Sequence, residues 1–258
     1  MGERFSPEME KLRKQAADVV REGRSADRQK GDAGFEMTRN RGIGLYVRGL
    51  GGLEHFLDYA SSLSEQGDKA KLLDIGAGNT RALGELSAIK DWSSNLDLLA
   101  TSITSSKQVD KFLGKEKLRL TSAENLRGIK DHEIAAILSV HGIGWTKAPK
   151  LTAESINRVL KPSGILKAIF AYNPGDRSDT RERNQKFLIN HLKHLKYDTY
   201  VSVESIENVL NIPGQKLKNT RLLAIKSPIK KGFSAKDLAK ADFEDMGEQL
   251  DFLAQKGY

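Results

Sequence analysis

Lys71-Leu-Leu-Asp-Ile-Gly-Ala-Gly-Asn-Thr80 decides the fold. An apolar run enters an aspartate, then come Gly76 and Gly78, then Ala82, Leu83, Leu86 and Ile89 at helical spacing. The pattern predicts a buried strand, a tight glycine turn and a helix start. Glycine has no Cβ, so the backbone turns sharply there and a ligand can lie against it. Free N–H groups at a helix start favour an anionic or electron-rich group. Such a turn lies where open α/β sheets bind ligands, outside the carboxyl ends of the strands. A dinucleotide fingerprint needs a third glycine, but Asn79, Thr80 and Arg81 follow Gly78; a Walker A loop needs Gly-Lys-Ser/Thr, which is also absent.

The acidic-x-Gly-x-Gly form at a strand end resembles motif I of the class I S-adenosylmethionine-dependent methyltransferases, and the resemblance runs from about residue 70 to 228. Asn95-Leu-Asp-Leu-Leu-Ala-Thr-Ser102 looks like that family's second strand, with Ser102 where an acidic residue usually meets the ribose. Arg119-Leu-Thr-Ser-Ala-Glu-Asn-Leu126 resembles its third-strand motif, with Ser122 at the acidic place near the adenine and Glu124 close by. Asp131 to His141 looks like the fourth strand, and Arg158-Val-Leu-Lys-Pro-Ser-Gly-Ile-Leu-Lys-Ala-Ile-Phe170 is similar to the helix, Pro-Gly turn and fifth strand. The resemblance implies S-adenosyl-L-methionine as cofactor, held by Asp74, Gly76, Ala77, Gly78, Ser102, Ser122, Ala123 and Glu124.

The predicted architecture is α/β: a Rossmann-like, doubly wound, seven-stranded sheet. It is mostly parallel with an antiparallel last strand, and carries N-terminal helices and a C-terminal helix. Strands are expected near 71–76, 96–102, 117–121, 134–140 and 164–171, joined by right-handed helical crossovers. Tyr197 to Val203 and Thr220 to Lys226 read as the last two.

Three parts are expected: an N-terminal helical segment at 1–68, the methyltransferase domain at 69–231 and a C-terminal helix at 232–258. Pro7 to Glu22 has helical spacing, Ser25 to Gly34 reads as a loop, and Arg39 to Gly52 holds five glycines and three arginines before a helix starting at Leu53. This segment either closes as a lid over the cofactor or packs on the sheet as a surface helix pair. Ser234 to Gln255 reads as a helix with a capping-box start at Ser234 and Asp237; it seals the sheet or pairs two subunits.

The chain has 258 residues, 38% of them hydrophobic, enough for a sizeable core. No run of 18 apolar residues exists, and the N-terminus lacks an apolar signal core, so a cytoplasmic protein without a membrane span is expected. The oligomeric state is not legible. The absence of cysteine excludes disulfides, thiolate metal sites and a thiol nucleophile, and sets aside pyrimidine C5 methylation, which usually proceeds through a cysteine adduct.

Net charge is +8, and residues 151–231 hold 15 basic against 7 acidic side chains, including Arg177, Arg181, Arg183 and Lys186. That field would attract RNA or an acidic small substrate; it is also what a solvated lysine-rich surface looks like. Aromatic interleaving is sparse, so no stacking platform for single strands is evident.

His141, at the predicted fourth-strand end, is the candidate general base, because a neutral imidazole titrates near working pH. Trp145 either walls the adenine or acceptor or packs in the core; Tyr172 and Asn173, after the fifth strand, could bind the acceptor. The Asn/Asp-Pro-Pro-aromatic motif of adenine amino methylation is absent after the fourth strand. His191 and His194 have metal-ligand spacing but no carboxylate partner in the nearby sequence, so no metal is expected. The leading expectation is a methyltransferase acting on an O or N atom of a small molecule. The alternatives are an RNA or, less so, protein methyltransferase, and a non-catalytic module prompted by Ser102 and Ser122.

Overall fold

The computed structural model describes residues 42–65, 67–78, 80–103, 110–172, 180–207 and 216–242. Its centre is a seven-stranded sheet: β1 Ala70–Ile75, β2 Leu96–Ser102, β3 Leu118–Leu120, β4 Ile134–Val140, β5 Leu160–Tyr172, β6 Tyr197–Glu207 and β7 Lys216–Lys226. The spatial order is β3-β2-β1-β4-β5-β7-β6. The pairs β1–β2, β1–β4, β2–β3 and β4–β5 are parallel, and β7 is inserted antiparallel between β5 and β6. The predicted fold class is therefore the observed one. The chain leaves β1 toward β2 and β3, then returns to place β4 on the other side, so the sheet's switch point lies between the ends of β1 and β4.

The helices are α1 Ile43–Leu50, α2 Glu54–Ser62, α3 Arg81–Ser87, α4 Lys90–Ser93, α5 Asp110–Leu113, α6 Pro149–Val159, α7 Arg181–His194 and α8 Ala235–Asp242. Alternation along the strands sorts the core into two layers. Leu72, Leu98, Leu138, Ile169 and Leu223 pack with α1, α2, α3 and α8, through residues such as Tyr46, Phe56, Leu83 and Leu238. Leu73, Leu99, Ile137, Phe170 and Leu222 pack with α6 and α7, through Ile156, Leu188 and Leu192. Every residue of β4 is buried, as a central strand covered on both faces requires.

Several expectations change. The glycine-rich Arg39 to Gly52 stretch, given no helix in advance, contains α1. The helix stops at Gly51, whose left-handed φ of +80° suits a C-cap. The Pro162-Ser163-Gly164 turn interrupts β5 rather than preceding it, shifting the β4 pairing between Ile134 and Ala136. Strands β6 and β7 are longer than expected, each with 11 residues. The helix pair α1 and α2 packs into the sheet's own core. Pro7 to Glu22, Ser25 to Gly34, Arg177, Asn173 and the later part of the C-terminal helix lie outside the described residues.

The helix α1 is held at both ends by side chains from the sheet and its crossovers. The Glu85 carboxylate accepts from the Ile43 N–H at 2.6 Å, capping the helix start in place of a local side chain. Arg221 Nε donates to Gly49 O at 2.9 Å, and the buried Lys167 ammonium donates to Gly52 O. Both cations meet the carbonyl end of the helix, where its dipole favours positive charge.

Candidate functional site

Two turns interlock at the switch point. After β1, Gly76, Gly78 and Thr80 take φ values of +76°, +61° and +58°. The Gly76 N–H donates to Thr101 Oγ1 at 3.1 Å and the Ala77 N–H to Thr101 O at 3.1 Å, tying the turn to β2. After β4 come His141 and Gly142, then a single 3-10 turn, Ile143–Trp145. The fully buried Ser139 hydroxyl donates to Ile75 O at 2.8 Å and accepts from the Ile143 N–H at 3.0 Å, so one side chain joins both turns. A Cβ on Gly76 would lie 2.7 Å from Gly142 Cα, and a Cβ on Gly142 would lie 2.1 Å from Ile75 O. Gly76 is needed here because backbone meets backbone.

His141 lies where the candidate base was expected. It is half-buried and has a left-handed φ of +62°, which non-glycine residues adopt rarely and which recurs at functional sites. Its N–H donates to Ile169 O at 3.0 Å, fixing the strand end against β5.

Asp74 is fully buried beneath the turn, where its carboxylate accepts a hydrogen bond from the Tyr46 hydroxyl of α1. Ser102 ends β2 and is buried; its carbonyl accepts from the Thr121 N–H at 3.0 Å. Ser122 is buried too, and its hydroxyl has no hydrogen-bond partner among the described residues. Ala123 packs against the layer beneath α6. Glu124 turns toward the loop after β4: its Oε1 accepts from Thr146 Oγ1 at 2.9 Å and from the Lys147 N–H at 3.3 Å, and its carbonyl accepts from Ser155 Oγ at 2.8 Å. Glu124 thus clamps the Trp145 turn to the middle of α6.

Trp145 corrects one of its two expected readings. It is 62% exposed, so it is not core packing; the Arg181 guanidinium carbon lies 4.8 Å from its ring centroid. Tyr172 ends β5 opposite Lys218 on β7. His191 does have a carboxylate neighbour, from α6: its Nε2 lies 2.7 Å from Glu154 Oε1. Spacing within one helix could not show a partner on another. Among the described residues, no three His, Asp or Glu side chains gather as a metal site. No helix among them is long and apolar enough to cross a membrane.

Sequence reasoning missed Tyr46, Thr101, Ser139 and Gly142. The echo between Gly76-Ala-Gly78 and Gly142-Ile-Gly144, each just after a strand, is a signal that could have found Gly142. Nothing local marks Tyr46, whose contact spans 28 residues.

Residues 73–168, from Leu73 on β1 to Ala168 on β5, match the family model described as a methyltransferase domain. No curated protein matches the chain. Among solved structures it is similar to an arsenic(III) S-adenosylmethionine methyltransferase from Chlamydomonas reinhardtii, at 15% identity over 67% of this chain and 74% of that one, with a TM-score of 0.45. It is also similar to an S-adenosylmethionine-dependent methyltransferase from Methanosarcina mazei, at 15% identity over 61% and 92% of the two chains, TM-score 0.44. A third is a phosphoethanolamine N-methyltransferase from Haemonchus contortus, solved with S-adenosylhomocysteine, at 14% identity over 66% and 52%, TM-score 0.45.

Proposed function

We propose that this chain is a class I S-adenosylmethionine-dependent methyltransferase, in keeping with the methyltransferase-domain match over residues 73–168, and that it methylates an oxygen or nitrogen atom of a small molecule. The observation that carries the reading is the interlock at the switch point, which puts His141 beside the glycine turn after β1.

The residues present fit the donor in kind. A buried hydroxyl without a protein partner, Ser122, stands at the third strand end, where a polar ligand edge would satisfy it. By the family resemblance, the backbone of Gly76, Ala77 and Gly78 would hold the amino-acid end, Ser102 the ribose, and Ser122 with Ala123 the adenine. Asp74 and Glu124 support this pocket from behind, through Tyr46 and through Thr146.

When bound, the donor would supply an electrophilic methyl carbon on a sulfonium leaving group. The protein's part is to orient the acceptor, exclude water and take up a proton. A ring nitrogen of His141 takes the proton from the acceptor's O–H or N–H. Trp145, four residues on and tied by its N–H to Gly142 O at 3.4 Å, walls the acceptor side.

A second reading, methylation of RNA, draws on the positive excess of residues 151–231. One experiment separates the two: methyl transfer from radiolabelled S-adenosylmethionine into a cell extract, split by acid. Label in the soluble fraction, lost in His141→Ala, supports a small acceptor. Label in a ribonuclease-sensitive precipitate would overturn it, and steep salt dependence of binding would accompany that result.

A further inference from the structure

We propose that Trp145 and Arg181 form a stacking platform, so that the methyl acceptor is an electron-rich aromatic acid rather than an aliphatic amine or acid. This inference rests on the methyltransferase reading and deepens it.

Trp145 is large and apolar, yet 62% exposed. Tryptophan usually stays outside the core where one face serves an interface or ligand. Its backbone is not loose. The turn that carries it is pinned by Ser139 Oγ to Ile143, by Glu124 to Thr146 and Lys147, and by Asn184 Nδ2 donating to Thr146 O at 3.0 Å. A ring presented on so rigid a support is preorganised for a flat partner.

Arg181 backs one side of the ring, with its guanidinium carbon 4.8 Å from the ring centroid. It opens α7, where the helix dipole disfavours a positive charge, so helix formation does not account for the residue type. A cation on one face draws down the indole's π density, and the opposite face then prefers an electron-rich ring. One turn along the same face of α7 lies Gln185, 4% exposed, whose Nε2 has no hydrogen-bond partner among the described residues. A bound acceptor oxygen would satisfy such a donor. The rim adds exposed Lys147, Lys150 and Arg183, which favour an anionic substituent. The platform adjoins the transfer site, because the Trp145 N–H bonds to Gly142 O and Gly142 packs on the glycine turn.

The test uses the full chain labelled with 5-fluorotryptophan. The sequence has two tryptophans, Trp92 and Trp145; Trp92 is buried and donates to Asp58 Oδ1 at 3.1 Å, so it serves as internal reference. With S-adenosylhomocysteine bound, 3,4-dihydroxybenzoate should shift the fluorine resonance of Trp145 and leave that of Trp92 in place. Cyclohexanecarboxylate, which carries the same charge but no flat ring, should shift neither. In calorimetry, Trp145→Ala should weaken dihydroxybenzoate by about tenfold, the worth of one good aromatic pair, while Trp145→Phe retains most of the affinity. Equal binding of both acids, or a Trp145 signal that moves with neither, overturns the platform. A response to a single-stranded oligoribonucleotide alone overturns it in favour of RNA. Failure of S-adenosylhomocysteine to bind strikes the methyltransferase reading instead; if it binds and Trp145 stays silent, only this inference falls.

Discussion

Replacing Gly142 by alanine isolates the interlock between the two turns. Gly142 has φ −62° and ψ −59°, a right-handed conformation that alanine adopts freely. Judged by backbone alone, the change should stabilise the protein by about 0.4–1 kcal/mol, because it restricts the unfolded chain. The packing argues the other way. The new Cβ would lie 2.1 Å from Ile75 O and 2.8 Å from Ser139 Oγ. Non-bonded heavy atoms settle near about 3.5 Å, so the turn after β4 must withdraw by an ångström or more. Overpacking of this kind costs about 1–3 kcal/mol, which outweighs the entropic gain. At about 2–4 °C per kcal/mol for a chain of this size, the melting temperature should fall by several degrees. S-adenosylhomocysteine affinity should fall with it, since the displaced turn is the one packed on Gly76. Gly144→Ala is the control two residues away: its Cβ meets Phe170 Cδ1 at 3.4 Å, close to an ordinary contact. Circular dichroism melts and calorimetric titration of S-adenosylhomocysteine read both variants. A Gly142→Ala protein that melts at or above the wild-type temperature and binds the ligand undiminished would refute the interlock.

Tyr46→Phe removes the hydroxyl that donates to the buried Asp74 carboxylate, and should cost about 1.5–3 kcal/mol, the worth of a hydrogen bond to a charged group, measured by urea unfolding. Unchanged stability would show that the bond contributes nothing. Glu124→Ala should destabilise by about 1–3 kcal/mol by releasing Thr146 and the Lys147 N–H, whereas Glu124→Gln, which keeps an acceptor oxygen, should cost less; equal losses would argue against the clamp. Burial, and then the nearby Glu154, raise the Tyr197 hydroxyl's pKa well above its usual value, and burial raises that of Tyr59 despite the bond from the Lys230 N–H. A raised folded value means that this stability is intact below the unfolded tyrosine value near about 10 and is lost as pH rises beyond it. Unfolding free energy should therefore drop above that pH, less steeply in Tyr197→Phe; identical slopes would contradict the assignment.

What was legible in the chain depended on local repetition. β4 spans the expected 134–140 because seven consecutive small or apolar residues suit a strand covered on both faces. The motif at Asp74 marked the turn because its glycines sit where φ is left-handed. The helix α1 stayed hidden because Gly44 and Gly49 lower helix propensity, while what stabilises it comes from Glu85, Asp74, Lys167 and Arg221 far along the chain. The partner of Glu124 was out of reach for the same reason: its carboxylate is engaged by Thr146, 22 residues away. Trp145 was legible as a candidate, and its exposure removes the core-packing reading.

The helix ending at Gly51 has a consequence for how the protein can be cut down. The family model begins at residue 73, yet the buried Lys167 and Arg221 are coordinated by carbonyls of residues 49 and 52. A fragment that began at the matched start would keep both cations and discard these oxygens, together with the phenol that braces Asp74. The unit that folds is therefore wider than the unit that sequence families recognise. Its forward limit among the described residues is the Glu85-capped start of α1, and a minimal version of this protein should begin ahead of residue 42.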